Sequence, residues 1–245
     1  MAQYVAVGRE ALETEETGSA STAVGHRSLR VQNNDALNHN RAVGYQSGVA
    51  VTSGTGNTFI GSFAGHNCAT GNNNVVVGFD NGLDASDTAQ VIVLGKGVTS
   101  QPANNFTFGF GATDSNIGFG ATSITAPSDE RYKENIEDST AGLSFIKDLR
   151  PVTFRWKKAK DVPSDHKAYI ADGEEGSDER VMQRGDKIQH GFIAQEVKTA
   201  IDNHSEITDG FDMWSADYTD GRTHLGPAAL IPILVKAIQE LEARI

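Results

Sequence analysis

The chain has 245 residues with 21 Lys and Arg against 32 Asp and Glu, a net charge of −11. No basic run offsets that charge, which argues against nucleic-acid binding. A single cysteine, Cys68, excludes an intrachain disulfide framework and the common zinc signatures, and no motif calls for a cofactor or a metal. No apolar run approaches the roughly 18 residues that span a bilayer, so no membrane insertion is expected. The opening Met1-Ala-Gln-Tyr has neither the basic nor the apolar region of a secretory leader.

The averages conceal an asymmetry. Residues 1–127 hold 18 of the 26 glycines and only 14 of the 53 charged residues, and residues 128–245 hold the remainder. The first half repeats itself. An apolar-Gly step recurs as Val7-Gly8, Val24-Gly25, Val43-Gly44, Ile60-Gly61, Val77-Gly78 and Leu94-Gly95, with glycine spacings of 17, 19, 17, 17 and 17. Each unit is a short β-favouring run, then small residues, then a polar stretch rich in Asn, Gly, Asp and Ser. About 17 residues is too short for a helix pair or a propeller blade and suits one or two short strands per coil of a β-solenoid. Each unit has few apolar side chains, so neighbouring coils or sister chains must supply the burial. Glycine beside the strand permits close backbone approach, as at a crowded symmetry axis. The repeat region is therefore placed at 1–103.

From Asn104 the repeat gives way to NNFTFGFGATDSNIGFGATSITAP. The alternation of Phe106, Phe108 and Phe110 predicts a half-buried strand, and Ile117 with Phe119 a second. Residues 104–127 are read as an end-cap, its aromatics closing the solenoid or interlocking three chains.

The junction is PSDERYKENI, Pro127 to Ile136. Two readings of Ser128 stand side by side. As a helix N-cap it would precede two acids placed well against the helix dipole. As a nucleophile it would need an adjacent base, for which Lys133 is the candidate. Lysine serves only when neutral, which takes burial or a nearby positive charge, and Arg131 is a candidate for that charge. Positions i and i+5 lie roughly 140° apart on an ideal helix, so a working pair needs Ser128 outside the helix.

SDERYKENI, followed by LRPVTFRWK, GFIAQEV and the terminal LIPILVKAIQELEARI, resembles the endosialidase-type intramolecular chaperone domain of phage tail spikes and fibres. The resemblance covers about residues 127–245. It implies a C-terminal chaperone domain, 128–245, that trimerises the upstream fibre and then releases itself by cutting before the motif's serine. The motif's residues fall on Ser128 and Lys133, which places the scissile bond at Pro127–Ser128. Ser128 would attack the carbonyl before it, or water would, with oxyanion donors from backbone N–H groups at a helix start. Proline restricts the approach to its own carbonyl and contributes only that carbonyl to the reaction.

In the second half, Leu143, Phe145, Ile146 and Leu149 predict a helix stopped by Arg150-Pro151. Val152, Phe154 and Trp156 predict a strand. The acidic ADGEEGSDER lacks the ligand order of a calcium loop and reads as an exposed insertion. Ile188 to Val197 reads as a strand turning into a helix, with Phe192 and Ile193 facing a core. His190 is a structural histidine by default and an auxiliary catalytic candidate otherwise. Phe211, Met213, Trp214 and Tyr218 predict an aromatic strand with a turn at Asp220-Gly221. Gly226-Pro227 opens the final helix, on which Ile231, Leu234, Ile238, Leu241 and Ile245 step as a coiled-coil trimerisation seam. Ile and Leu alternating in this way suit parallel dimers, whereas the resemblance implies trimers.

The fold class is thus an all-β trimeric solenoid fibre followed by an α+β chaperone domain ending in a coiled-coil-like helix. The expected protein is a phage-type tail fibre or appendage, a homotrimer located in the virion and assembled in the host cytoplasm, with a host receptor or surface glycan as partner. The alternative is an uncleaved trimeric adhesin with a permanent C-terminal foot. A glycan-degrading spike would need paired carboxylates. The acids Glu10, Glu13, Glu15 and Glu16 crowd one repeat and read instead as a solvated face. Gly95 to Thr99 lacks the upstream glycine of a phosphate loop. His26, His39 and His66 lie in different repeats, where only alignment along a trimer would let them hold an ion.

Overall fold

The computed structural model describes residues 3–182, 186–207, 211–216 and 223–245. The chain divides into two compact units between Glu134 and Asn135.

In the first unit, seven short strands stack in parallel, one per coil: β1 (Val5–Val7), β2 (Thr22–Val24), β3 (Arg41–Val43), β4 (Thr58–Ile60), β5 (Val75–Phe79), β6 (Val91–Lys96) and β7 (Asn105–Phe110). Each pairs in register with the next, so Ala23 lies beside Ala42, and Val76 beside Val93. An antiparallel strand, β8 (Ser115–Gly118), ends the sheet on β7. The result is a β-solenoid of about six turns. The Phe-rich segment thus forms a seventh parallel rung before it closes the stack, and the glycine column runs on to Gly109, which pairs with Gly95.

The glycines are needed for coil-on-coil approach within one chain. A Cβ on Gly61 would sit 1.9 Å from the Gly78 carbonyl oxygen, and one on Gly78 would sit 1.8 Å from that of Gly95. Their φ angles of +119° and +125° exclude ordinary side chains as well. The close approach read from the sequence as an axis between chains lies instead between successive coils.

The solenoid core is one side chain deep per strand, so volume is traded between positions of the coil. Ala23 and Ala42 leave room for Leu12 and Leu29 in the early coils. Phe59 fills the centre of β4, and a Cβ at Gly48 or Gly65 would strike its ring at 2.7 or 2.3 Å. The turns are held by a buried amide ladder. Asn57 Nδ2 donates to Gly71 O at 2.8 Å, and Asn57 Oδ1 accepts from Asn74 N at 3.0 Å. Asn74 repeats the pattern one coil on, donating to Thr88 O and accepting from Val91 N. An orphaned backbone group in so thin a core has no water to turn to, which is why asparagine stands at these positions.

The acidic repeat is only partly a solvated face. Glu10 and Glu13 pair with Arg27 at 2.5 Å and Arg30 at 2.7 Å. The Arg27 guanidinium, with help from Arg9 and Arg30, holds the Glu10 carboxyl below its usual range. Glu15, by contrast, is 6% exposed and accepts hydrogen bonds from Gly18 N, Gln32 Nε2 and Asn38 Nδ2. Its spacing of 17 from Gln32 places it in the buried polar column, which composition did not reveal.

The second unit is α+β. Its helices are α1 (Leu143–Asp148), α2 (Ala194–Asp202) and α3 (Leu230–Glu242), the last preceded by a 3-10 turn at Pro227–Ala229. Two antiparallel ladders complete it: β9 (Val152–Phe154) with β10 (Gln189–Gly191), and β11 (Trp214–Ala216) with β12 (Thr223–Leu225). Phe145, Val197, Ile201, Met213, Leu230 and Ile233 form its core. Phe192 packs against that core, whereas Ile193, expected beside it, is 37% exposed at the α2 N-cap position. Trp156 lies beyond the end of β9, and Tyr218, Asp220 and Gly221 lie outside the described residues. Gly142 leads into α1 without a capping side chain. Glu240 of α3 takes that role, its Oε2 accepting from Leu143 N at 2.9 Å.

Helix α3 carries two apolar faces. Leu230, Ile233 and Ala237 face the core. The seam read from the sequence points away from it, with Ile231 at 62% and Ile238 at 65% exposed, and Leu234, Leu241 and Ile245 exposed as well. Among the described residues no helix is long and apolar enough to cross a membrane.

Candidate functional site

Ser128 and Lys133 belong to the end of the first unit, on either side of a single 3-10 turn, Glu130–Tyr132. Asp129, and not Ser128, caps that turn: its Oδ1 accepts from Arg131 N at 2.9 Å. The serine hydroxyl is thereby left for another partner. The chain resumes an extended path at Lys133, with φ −117° and ψ 145°. One short turn therefore folds the five-residue separation back on itself, and Lys133 Nζ donates to Ser128 Oγ at 2.8 Å. The long i to i+5 reach of an ideal helix never has to be made. That distance is within reach for proton transfer between a nucleophile and its base.

Arg131 is differently occupied. Its guanidinium grips Asp129, with Nη2 to Oδ2 at 2.6 Å and Nε to Oδ1 at 3.0 Å. This hydrogen-bonded clamp, joined by the Arg131 backbone amide, holds the Asp129 carboxyl below its usual range. A cation so compensated contributes little field at Lys133, so the role of charge donor does not fit its placement. Its place is structural: it fastens the cap that forms the turn. The signal for this was an Asp two residues before an Arg, which sequence reading treated as dipole complementarity. Both Ser128 and Lys133 are exposed in the single chain, and Pro127 lies in exposed chain without regular structure.

The remaining candidates lie elsewhere. His190 sits on β10 opposite Thr153 in the second unit. It borders an open apolar groove with Phe154, Trp156, Phe192 and Ile193. Two carboxylates of the acidic insertion, Asp172 and Asp178, are paired with lysines that precede it. Lys158 Nζ meets Asp178 at 2.6 Å, and Lys160 Nζ meets Asp172 and Asp178 at 2.8 and 3.1 Å. These lysines hold the Asp178 carboxyl below its usual range, and a carboxylate so paired is a poor cation ligand. Among the described residues no cluster of His, Cys, Asp and Glu has the makings of a metal site. His26 stacks on Tyr45, while His66 accompanies Phe63 O and Asp80, so these do not share one column of the coil. Lys96 ends β6 between the rings of Phe79 and Phe110 and is no part of a phosphate loop.

In chain order the residues thus build a stacked β-solenoid, a serine–lysine pair and an α+β unit. Residues 128–206 match the peptidase S74 family, described as the chaperone of endosialidase. Residues 128–206 are thus an endosialidase-type chaperone domain, preceded by a β-solenoid. Domains of this family are typical of phage tail fibres, and the family carries self-cleaving serine peptidase activity. Helix α3 follows the matched residues. No curated protein and no solved structure matches the chain.

Proposed function

We propose that this chain is a tail-fibre or appendage protein of phage type whose C-terminal domain assembles three copies and then releases itself at Pro127–Ser128. The observation that carries the reading is the 2.8 Å contact between Lys133 Nζ and Ser128 Oγ in a segment matched to a self-cleaving family. In the reaction, Ser128 Oγ attacks the Pro127 carbonyl carbon while Lys133, as the neutral amine, takes the hydroxyl proton. The C–N bond breaks, the proton passes to the Ser128 nitrogen, and an ester links Pro127 to Ser128 Oγ. Water then hydrolyses the ester, leaving a Pro127 carboxylate and a free Ser128 hydroxyl and amine.

Lysine is neutral near pH 7 only when water is excluded from it or another cation stands close. The exposed dyad of the single chain lacks the first and the Asp129–Arg131 clamp removes the second. Assembly of sister copies around the junction would supply the desolvation, so that cutting follows trimer formation. The outward seam of α3, from Ile231 to Ile245, is the surface for that first association. Early association also answers a folding problem, because pairing of non-local segments between three chains is slow and aggregation-prone. A preformed trimer raises the local concentration of the fibre strands. Release then removes the route back and leaves a kinetically stable fibre in the virion, where its exposed loops would meet a host receptor or glycan.

Denaturing gels and intact-mass analysis of wild type, Ser128→Ala and Lys133→Ala test this. Wild type is expected as two fragments, one ending at Pro127 and the other beginning at Ser128, and both variants as intact chain. An uncut wild type would replace the proposal with a permanent trimerisation foot on an adhesin.

A further inference from the structure

The solenoid sheet carries apolar side chains on its outer face as well as in its core. In β7 the fully buried side chain is Thr107, while Phe106, Phe108 and Phe110 turn outward, and Phe110 is 63% exposed. The same holds down the stack. Ala23, Ala42, Phe59, Val76 and Val93 face in, and the residue just before each glycine of the column faces out as Val, Ile, Leu or Phe. Val7, Val43, Ile60 and Leu94 of this central column are exposed, and Val24, Val77 and Phe108 are half-buried. Parallel sheets are ordinarily covered on both faces. This one leaves an in-register apolar column bare over seven rungs, each about 4.8 Å from the next.

Two further columns flank the central one. The residue two places before the central one makes one flank, running from Val5 through Arg41 and Thr58 to Ile92 and Phe106. The residue after each glycine makes the other, in which His26 meets the Tyr45 ring and Lys96 lies over the rings of Phe79 and Phe110. The two flanks carry complementary side chains at three of the seven levels. Arg41 shares its rung with Tyr45, Thr58 with Ser62, and Phe106 with Phe110. No rung carries two like charges, and no carboxylate lies in any of the three columns. A rotation axis parallel to the stack sets the first flank of one copy against the second flank of the next, at the same rung. The central column then lies nearest the axis. At those three rungs cation meets ring, hydroxyl meets hydroxyl and aromatic meets aromatic, which are favourable cross-strand and cation–π pairings, while the stems of Arg9 and Lys96 meet the aliphatic Val5 and Ile92.

We propose that the outward face of the β1–β7 sheet is the surface on which sister copies of this chain pack, rung against equal rung, around an axis parallel to the stack. This rests on the homotrimer reading above and adds to it the face, the register and the neighbour of each column. The occupant is a second copy because the central column is apolar on every rung, and the flanks set no like charges against each other when one copy meets the next at equal rungs.

The test uses the full chain in a Ser128→Ala background, in which the buried Cys68 is the only native thiol. Ile60→Cys, on the axis, is expected to yield a covalent dimer with a short bismaleimide. Asp87→Cys, on an exposed loop of the coil, is expected to yield none. Arg41→Cys and Tyr45→Cys are each expected to stay single when alone and to link into the full oligomer when combined, because each flank meets only the other. Light scattering is run beside the gels. An oligomer whose Ile60→Cys stays unlinked, or whose Arg41→Cys links to itself, overturns the face and leaves the homotrimer standing. A monomer overturns both. Asp87→Cys linking as strongly as Ile60→Cys would show collision and would also overturn it.

Discussion

The two units obtain their order from different kinds of contact. In the solenoid nearly every hydrogen bond that matters spans one coil: Asn57 to Asn74, Asn74 to Val91 and Asn81 to Val98 are each 17 residues apart. The second unit is tied by unique long-range contacts, of which the 97-residue step from Leu143 N to Glu240 is the longest of its side-chain hydrogen bonds described. A stack can propagate from any nucleus but needs a first coil to stack on. A unit with one convergent core folds as a whole. The pairing of the two in one chain therefore joins an element that needs a seed to one that does not.

Both tryptophans, Trp156 and Trp214, lie in the second unit, so their fluorescence reports on it alone while far-UV circular dichroism reports on both. Gly78→Val gives the largest expected effect. Its side chain would overlap the Gly95 carbonyl and force a +125° φ on a β-branched residue, at a cost of about 3 kcal/mol or more. The strand signal should collapse in denaturant well before the tryptophan signal moves. Coincident loss of both signals would break the comparison.

Asn57→Ala comes next. It strips partners from Gly71 O and Asn74 N inside the stack and should cost about 1–3 kcal/mol, again without shifting the tryptophan midpoint. Glu240→Ala tests the other side. Loss of the borrowed cap of α1 should cost about 1 kcal/mol, read as an earlier tryptophan transition with an unchanged strand transition.

The smallest effect is a pH dependence of the second unit. His204 lies between Asp148 and Glu206, with 2.9 Å contacts to each, and these hydrogen-bonded carboxylates raise its pKa above the ordinary value. A raised folded pKa means that the stabilisation is complete below the unfolded value of about 6.5. It is lost as pH climbs through the folded value. The tryptophan midpoint should fall across that window, and His204→Gln should flatten the dependence. A midpoint that rises with pH would contradict the placement of these charges.

Much of this was legible in the residues. The apolar-Gly period announced a stack of coils because a repeating backbone requirement must repeat its glycine. The Ser128–Lys133 spacing and its motif marked the junction, and Leu143, Phe145, Ile146 and Leu149 advertised a helix packed on a core. Sequence order alone could not say which way the strands face. Alternation in NFTFGF is symmetric with respect to inside and outside, and only the closed coil puts Thr107 in and the phenylalanines out. Nor could it separate Glu15 from its acidic neighbours, since burial follows from alignment with Gln32 one coil away. At the junction the sequence supplied the two partners and an apparent i to i+5 obstacle. The local turn removed that obstacle by giving the cap to Asp129 and its clamp to Arg131. Periodicity is a local property that residues can encode one by one, and the meeting of Ser128 with Lys133 needs only the local turn that Asp129 caps, whereas facing and burial exist only once the chain has closed on itself.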